Sequence, residues 1–496
     1  MSSSPPAWQS SAARVHGEAD VSRAEVPNYL ATRYASAEMA ELWSPRHKVI
    51  LERWLWIAVL EAQRDAGVDV PDGALEAYRE VADQVDLESI NERERVTRHD
   101  VKARIEEFCA LAGHEQIHRA MTSRDLTENV EQCQVREALQ LVTERMAAFI
   151  MRVAALATAH RDLVMTARTH NVPAQATTLG KRWANVGTEA LVATERLEDL
   201  TARYPLRGLR GPVGTQQDLL ELLGGDAEAV DHLERRIADE LGFARVLGSA
   251  GQVYPRSLDL DVVAALVGAA APLGNLALSV RLMVGHELVT EGFAAGQVGS
   301  SAMPHKMNTR SSERINGLVT ILRGHLTMAS QLAGDQWNEG DVSCSVVRRV
   351  VLPDAFFALD GALETAFSVL AGFRVFPGRV SAELDEYLPF LATTRLLAAA
   401  VAAGAGREQA HERIGAHATA AALALREGTV DHNDLAERIV ADPSLALDAD
   451  DVAAALADPA SFSGRAVDQV DAFVAAASEV AERYPAAVTY TGGEVL

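Results

Sequence analysis

Cysteine is nearly absent: Cys109, Cys133 and Cys344 are the only three in 496 residues, far apart and without a CxxC pair. That excludes a disulfide scaffold and fits a reducing compartment. Aromatics are thin at 5%, and strand-like alternation is scarce, while Ala, Leu, Val, Glu and Arg dominate, which favours helix. Positive charge is in deficit: 46 Lys+Arg stand against 69 Asp+Glu, a formal net charge of −23. Such a balance argues against a general nucleic-acid binder or adsorption to anionic membranes. It does not exclude an anionic substrate, because a cleft can be locally basic inside an acidic shell. No stretch of about 18 apolar residues is read, so no bilayer span is expected. Ser2 to about Pro27 is rich in Ser, Ala and charge and lacks an apolar h-region, so it reads as a loose extension rather than a secretion signal. A cytoplasmic location is the expectation. With 48% hydrophobic and 23% charged residues the composition is ordinary and globular, and the length suits roughly two to four domains.

What the chain has is helical periodicity. Val135, Leu139, Val142, Met146, Phe149, Val153 and Leu156 recur at alternating intervals of 4 and 3, and no Gly or Pro occurs between Gly113 and Pro173. This is a heptad seam, and those positions alone make a rod of roughly 33 Å. Further long helical stretches are expected at about 176–203, 226–241, 257–290, 312–333 and 345–371, punctuated by Pro205, Pro255, Pro304 and Pro377. Long helices with apolar stripes must pack on each other, so the expected fold is all-α with a long central helical bundle. Shorter, more charged helices precede about residue 121, and Ala-rich short ones follow Phe376. The expected organisation is an extension at 1–27 and parts at 28–121, 122–375 and 376–496.

Two segments invite chemistry. His114-Glu115-Gln116-Ile117-His118 is a literal H-E-x-x-H, which on a helix would set two zinc ligands one turn apart. A third ligand is not singled out by spacing, and Gly113 and Thr122-Ser123 leave little room for a helix, so no metal is expected. The second segment is Gly299-Ser300-Ser301-Ala302-Met303-Pro304-His305-Lys306-Met307-Asn308, a polar stretch opening onto helical sequence near Ser311. A helix N-terminus there would offer N–H groups and a favourable dipole to an anion, with Lys306, Arg310 and Arg314 adding charge. A serine among such groups could become a base or a nucleophile.

The run GSSAMPHKMN resembles the signature loop of the fumarase/aspartase superfamily, and its continuation through Arg310-Ser311-Ser312-Glu313-Arg314 resembles the adenylosuccinate lyase family within it. Arg33-Tyr34-Ala35-Ser36, Arg98-His99-Asp100-Val101, Thr122-Ser123-Arg124-Asp125, Thr169-His170-Asn171-Val172-Pro173-Ala174-Gln175 and Leu388-Pro389-Phe390-Leu391-Ala392-Thr393 match that family in order, over about 28–480. The resemblance implies a three-domain fold and C–N cleavage of N6-succinyl-AMP to AMP and fumarate. It also implies action on the analogous succinyl-carboxamide ribotide, without a cofactor. A superfamily lyase for another aspartate-derived adduct is the alternative.

Such a reaction removes a proton beside a carboxylate before nitrogen leaves, so it needs a base, an acid and fixed positive charge. By resemblance Ser300 is the base, with Ser301 adjacent, and His170 the acid that protonates the leaving nitrogen. Lys306 and Asn308 would steady the carboxylate and intermediate. Arg33 and Tyr34 resemble a phosphate-contacting pair, and Ser345 and Arg349 a second phosphate or ribose contact. Arg98, His99 and Asp100 would line the nucleotide region, and Thr122, Ser123, Gln216 and Arg314 the succinyl carboxylates. One departure stands out: where many members read W-x-E-R, this chain has Trp337-Asn338-Glu339-Gly340. A neighbouring cation such as Arg348 is expected to replace the lost arginine, or the nucleotide end of the substrate differs. The resemblance further implies a homotetramer whose sites are each drawn from three chains.

Overall fold

The computed structural model describes residues 26–292, 303 and 305–493. Five long helices form its centre: α2 (Ser123–Ala159), α3 (Leu179–Arg203), α4 (Ser257–Gly285), α5 (Arg310–Leu332) and α6 (Ser343–Gly372), preceded by α1 (Pro45–Asp65). Neighbours in sequence pack on each other from α2 to α6, and α6 returns to α2. The heptad seam is real: Val135, Leu139, Val142, Met146, Phe149 and Val153 are all fully buried. So are Ala138, Ala147 and Ile150 on other faces, which makes α2 the axis of the bundle rather than a surface helix.

The relative directions of the helices follow from what they touch. Arg124 at the start of α2 meets Ser345 at the start of α6, and Arg145 lies 4.0 Å from Glu364 further along, so the two run parallel. α5 and α6 run antiparallel, since Tyr34 rests on both Arg314 and Gly361. A short pairing of β3 (Val289–Thr290) with β4 (Arg374–Val375) ties the far ends of α4 and α6.

Between α2 and α3 the structure has a hairpin, β1 (Val164–Thr169) and β2 (Val172–Thr178), where helix was expected from about 176. His170 and Asn171 form its two-residue turn with φ of 53° and 62°, the left-handed geometry that matches the twist of paired strands. Thr and Val at six of the thirteen strand positions favour the extended form over a short helix.

Two helices, α4 and α6, are long and apolar enough to cross a membrane by length and composition alone, where the sequence reading expected none. Gly268, Pro272 and Gly274 interrupt the run to the eye, but all lie inside α4. Both are bundle helices: half of the apolar window of α4 and 83% of that of α6 is buried. A separate apolar cluster, including Leu396, Ile414, Leu435, Ile439 and Val452, holds the short helices after 390. The chain then returns through α7 (Ala466–Arg483), which packs on α2 and α3.

Candidate active site

The site begins at the first turn of α2. Thr122 is its N-cap residue, and its N–H is held by Asp125 Oδ2 at 2.8 Å. The other oxygen of Asp125 accepts from Arg207 Nη1 at 2.7 Å and from the backbone N–H of Arg210 and Gly211 at 2.8 and 3.0 Å. Asp125 and Arg207 are both wholly buried, so this pair and its backbone bonds fasten the 207–211 turn to α2. Asn129 extends the seam, exchanging hydrogen bonds with both Gly208 backbone groups. The turn continues through Gly214, where a Cβ would lie 2.2 Å from the Ala250 carbonyl, to Gln216. Gln216 has φ of 58° and gives its Nε2 to the Leu209 carbonyl. The sequence reading missed Asp125 and Arg207; Asp125 stood in a quoted segment, but nothing in one dimension links it to 207.

His99 approaches the same end. Arg98 has φ of 51° and closes one helix; His99 opens the next, Asp100–Ala112, as its N-cap. That break turns His99 Nε2 to 3.4 Å from Ser123 Oγ. Asp100 lies 3.7 Å from Arg104 and 3.8 Å from His99 Nδ1, and Arg98 is exposed. Ser345 Oγ accepts from Arg124 Nη2 at 2.9 Å, and Arg349 sits exposed one turn further along α6. Thus Thr122, Ser123, His99 and Ser345, with Gln216 nearby on the fastened turn, gather at one end of the bundle.

Arg348 does not take the place of the missing arginine. Its side chain is buried, with Nε on Asp259 at 2.7 Å, Nη1 on Glu131 at 2.6 Å and Nη2 on the Tyr254 hydroxyl. It is an internal ion-pair partner, and it holds the Glu131 carboxyl down at about 2 against the opposing effect of burial.

A second group lies further along. The Arg314 guanidinium sits 5.4 Å from the centre of the Tyr34 ring, and Arg33 lies over Tyr29 at 5.6 Å. Ser345 and Gly361, the residue under Tyr34, are sixteen positions apart on α6, roughly 24 Å along the axis. Lys306 and Asn308 precede α5, and Lys306 is exposed with its N–H on the Met303 carbonyl. The first N–H groups of α5 are not offered to an external anion as expected. Glu291 takes the N–H of Ser311 and Ser312 at 2.9 and 3.0 Å and the Ser312 hydroxyl at 2.8 Å. Ser300 and Ser301 lie outside the described residues.

His170 forms a third, isolated place. It is exposed at the hairpin tip, and among the described residues no hydrogen bond joins it to the other groups. The hairpin is braced close to its turn, where Arg168 pairs with Glu383. The 37 residues of α2 separate the hairpin from Thr122 and Ser123 by roughly 55 Å.

His114-Glu115-Gln116-Ile117-His118 is not helical. His118 has φ of 66°, and its Nδ1 accepts from the Trp56 indole N–H at 3.0 Å. Burial lowers its pKa to about 4. No cluster of three metal-ligating side chains occurs among the described residues.

A family model described as "Lyase" matches residues 31–324, and one described as "Adenylosuccinate lyase C-terminus" matches 389–473. The chain is 35% identical over 457 residues to the adenylosuccinate lyase of Schistosoma mansoni, covering 91% of this chain and 94% of that one. With the adenylosuccinate lyase of Saccharomyces cerevisiae the identity is also 35%, over 90% of this chain and 93% of the other. Among solved structures, the 3-carboxy-cis,cis-muconate lactonizing enzyme of Pseudomonas putida shares the fold with a TM-score of 0.78 at 21% identity, covering 92% of this chain and 100% of that one. A fumarate lyase from a Mesorhizobium species does so with a TM-score of 0.76 at 23% identity, over 90% and 100%.

Proposed function

The chain belongs to the adenylosuccinate lyase family of the fumarase/aspartase superfamily, and from that premise we propose that it cleaves N6-succinyl-AMP to AMP and fumarate in purine nucleotide biosynthesis. It is a carbon–nitrogen lyase. The same chemistry extends to the succinyl-carboxamide ribotide, which carries the same N-linked succinyl group on a different leaving nitrogen.

In this reading Ser300 removes the proton from the carbon beside a succinyl carboxylate. Lys306, Asn308 and Arg314 hold the charge that accumulates there, and His170 protonates the departing nitrogen. Thr122, Ser123 and Gln216 hold the succinyl end. Arg33, Tyr34, Arg98, His99, Asp100, Ser345 and Arg349 serve the nucleotide. The observation that carries the reading is the convergence of segments remote in sequence: His99 on Ser123, Arg124 on Ser345 and Tyr34 under Arg314. The fall in ultraviolet absorbance as N6-succinyl-AMP is consumed tests it. Turnover is expected; well-folded protein that leaves the substrate intact overturns the assignment. Ser300→Ala is expected to lower kcat by several orders of magnitude with little effect on substrate affinity, because a proton acceptor acts mainly in the transition state. If Ser301→Ala is crippled instead, the base is Ser301.

The assembly in this reading is a homotetramer in the cytoplasm, with each site completed by three chains. Two observations support it. The roughly 55 Å of α2 keeps His170 from Ser123 within one chain. Leu278 and Leu282 on α4, with Ile321 and Met328 on α5, are exposed on long bundle helices, the kind of apolar face that a second copy covers. We retain the division into 28–121, 122–375 and 376–496; the separate apolar cluster supports the stretch of about 390–462 as a unit, while residues before 121 and the 466–483 helix share the core of the bundle.

A further inference from the structure

By the family resemblance the arginine of W-x-E-R is associated with the phosphate, so its loss at Gly340 asks for another cation there, and Arg124 is placed to supply it. Gly340 itself is shaped for glycine: its φ is 153°, and a Cβ there would stand 3.0 Å from Gln252 Cβ. The strand of backbone beside it is fixed, with the Gln252 N–H on the Glu339 carbonyl at 2.7 Å. An arginine at 340 would require that loop to be rebuilt.

Across from the loop, Arg124 projects from the first turn of α2 with its side chain 15% exposed. One end of its guanidinium meets Glu128 at 3.1 Å and the other meets Ser345 Oγ at 2.9 Å. Glu128 does not need it. That carboxylate already receives Arg256 Nη2 at 2.9 Å and the Tyr254 N–H at 3.2 Å, with Arg348 Nη1 at 3.6 Å. Around this cluster, Arg124, Arg256, Arg348 and Lys48 face Glu128, Glu131, Asp259 and, beside Arg124, Asp341, so the charges are matched in number. Asp341 lies within the field of Arg124; it is half-buried, and its Oδ1 accepts from the Ser343 N–H and hydroxyl. Arg124 is partly exposed, shares its carboxylate partner with Arg256 and Arg348, and is the cation of this cluster that meets Ser345. Its hydroxyl partner Ser345 stands four positions from Arg349, on the same face of α6.

We propose that Arg124, with Ser345 and Arg349, binds the 5′-phosphate of the nucleotide substrate, in place of the arginine that the 337–340 loop lacks. The guanidinium reaches this position from α2, next to Ser123, so one helix turn carries both a succinyl-side contact and a phosphate contact. This rests on the proposed adenylosuccinate reaction and adds a residue to it.

The test is a cycle between residue and substrate group. N6-Succinyl-AMP and its dephosphorylated form, N6-succinyladenosine, are compared with the native protein, Arg124→Gln and Arg124→Lys. For Arg124→Gln, kcat/KM on the phosphorylated substrate is expected to fall roughly 10- to 100-fold, the scale of a lost charged hydrogen bond, and mainly through KM. On N6-succinyladenosine the native protein and the variant are expected to be alike within about threefold. Arg124→Lys, which keeps the charge but not the planar fork, is expected to fall between. Inorganic phosphate should inhibit the native protein competitively and the glutamine variant more weakly. An equal loss on both substrates overturns the proposal, because Arg124 then acts on something other than the phosphate. If Arg124→Gln does not assemble, Arg124→Lys decides: a loss confined to the phosphorylated substrate supports the proposal, and no such difference overturns it. Failure of the native protein to cleave either substrate instead refutes the reaction itself.

Discussion

Asp360 illustrates how one buried carboxyl sets a surface residue. It lies within the apolar core of α6, with Oδ2 2.5 Å from the Ser36 N–H and Oδ1 without a hydrogen-bond partner among the described residues. That bond anchors the segment two residues beyond Tyr34. Burial pushes the carboxyl up to about 6. Because the folded chain then holds the proton more tightly than the unfolded one, stability falls as pH rises from the ordinary carboxylate range near 4 through about 6. Asp360→Asn keeps an acceptor for Ser36 and removes the charge. Its thermal midpoint is expected to equal or exceed that of the native protein at pH 7.5, with the advantage gone at pH 4.5. A deficit of the same size at both pH values would show that the charge is not the issue. None of this was legible in the sequence, where Asp360 is one acidic residue in an apolar run. The opposite error is His114–His118, whose spacing suggests a metal site while the backbone denies the helix that the motif needs.

At the scale of elements, α6 is a spacer that must admit Tyr34 closely. A Cβ at Gly361 would stand 2.7 Å from Tyr34 Cβ and 3.1 Å from its carbonyl carbon. Gly361→Ala therefore has to displace the 29–36 segment, and a higher KM with a smaller change in kcat is the expected result of steady-state kinetics. α5 depends on a cap from outside itself. Removing the Glu291 carboxylate in Glu291→Ala strips two N–H groups and a hydroxyl of their acceptor. A loss of about 1–2 kcal/mol is expected, read as a lower chemical-denaturation midpoint. The long helices were legible because an apolar period sustained over many turns has few alternatives. The hairpin was not, because fifteen residues with little alternation do not distinguish a strand pair from a helix start. The cap on α5 was missed because Glu291 lies twenty residues from Ser311.

At the scale of the whole molecule, the separation of His170 from Ser123 predicts complementation between chains. Subunits carrying Ser300→Ala and subunits carrying His170→Ala, denatured and refolded together, are expected to release fumarate although neither does so alone. Activity no greater than the sum of the parts, in a mixture shown to contain hybrid assemblies, would mean that each chain holds its own site. The sequence by itself determined the helical class, the positions of the five long helices and the residue types of an anion-handling lyase, since periodicity and ordered motifs are local properties of the chain. The tertiary structure decided which of those residues meet. It enclosed Arg348 among acceptors and left Arg124 on Ser345, and it gave the α5 N-terminus to Glu291. The physical reason is that a charge is committed or available according to the partners around it in space, and those partners here come from segments up to more than two hundred residues apart.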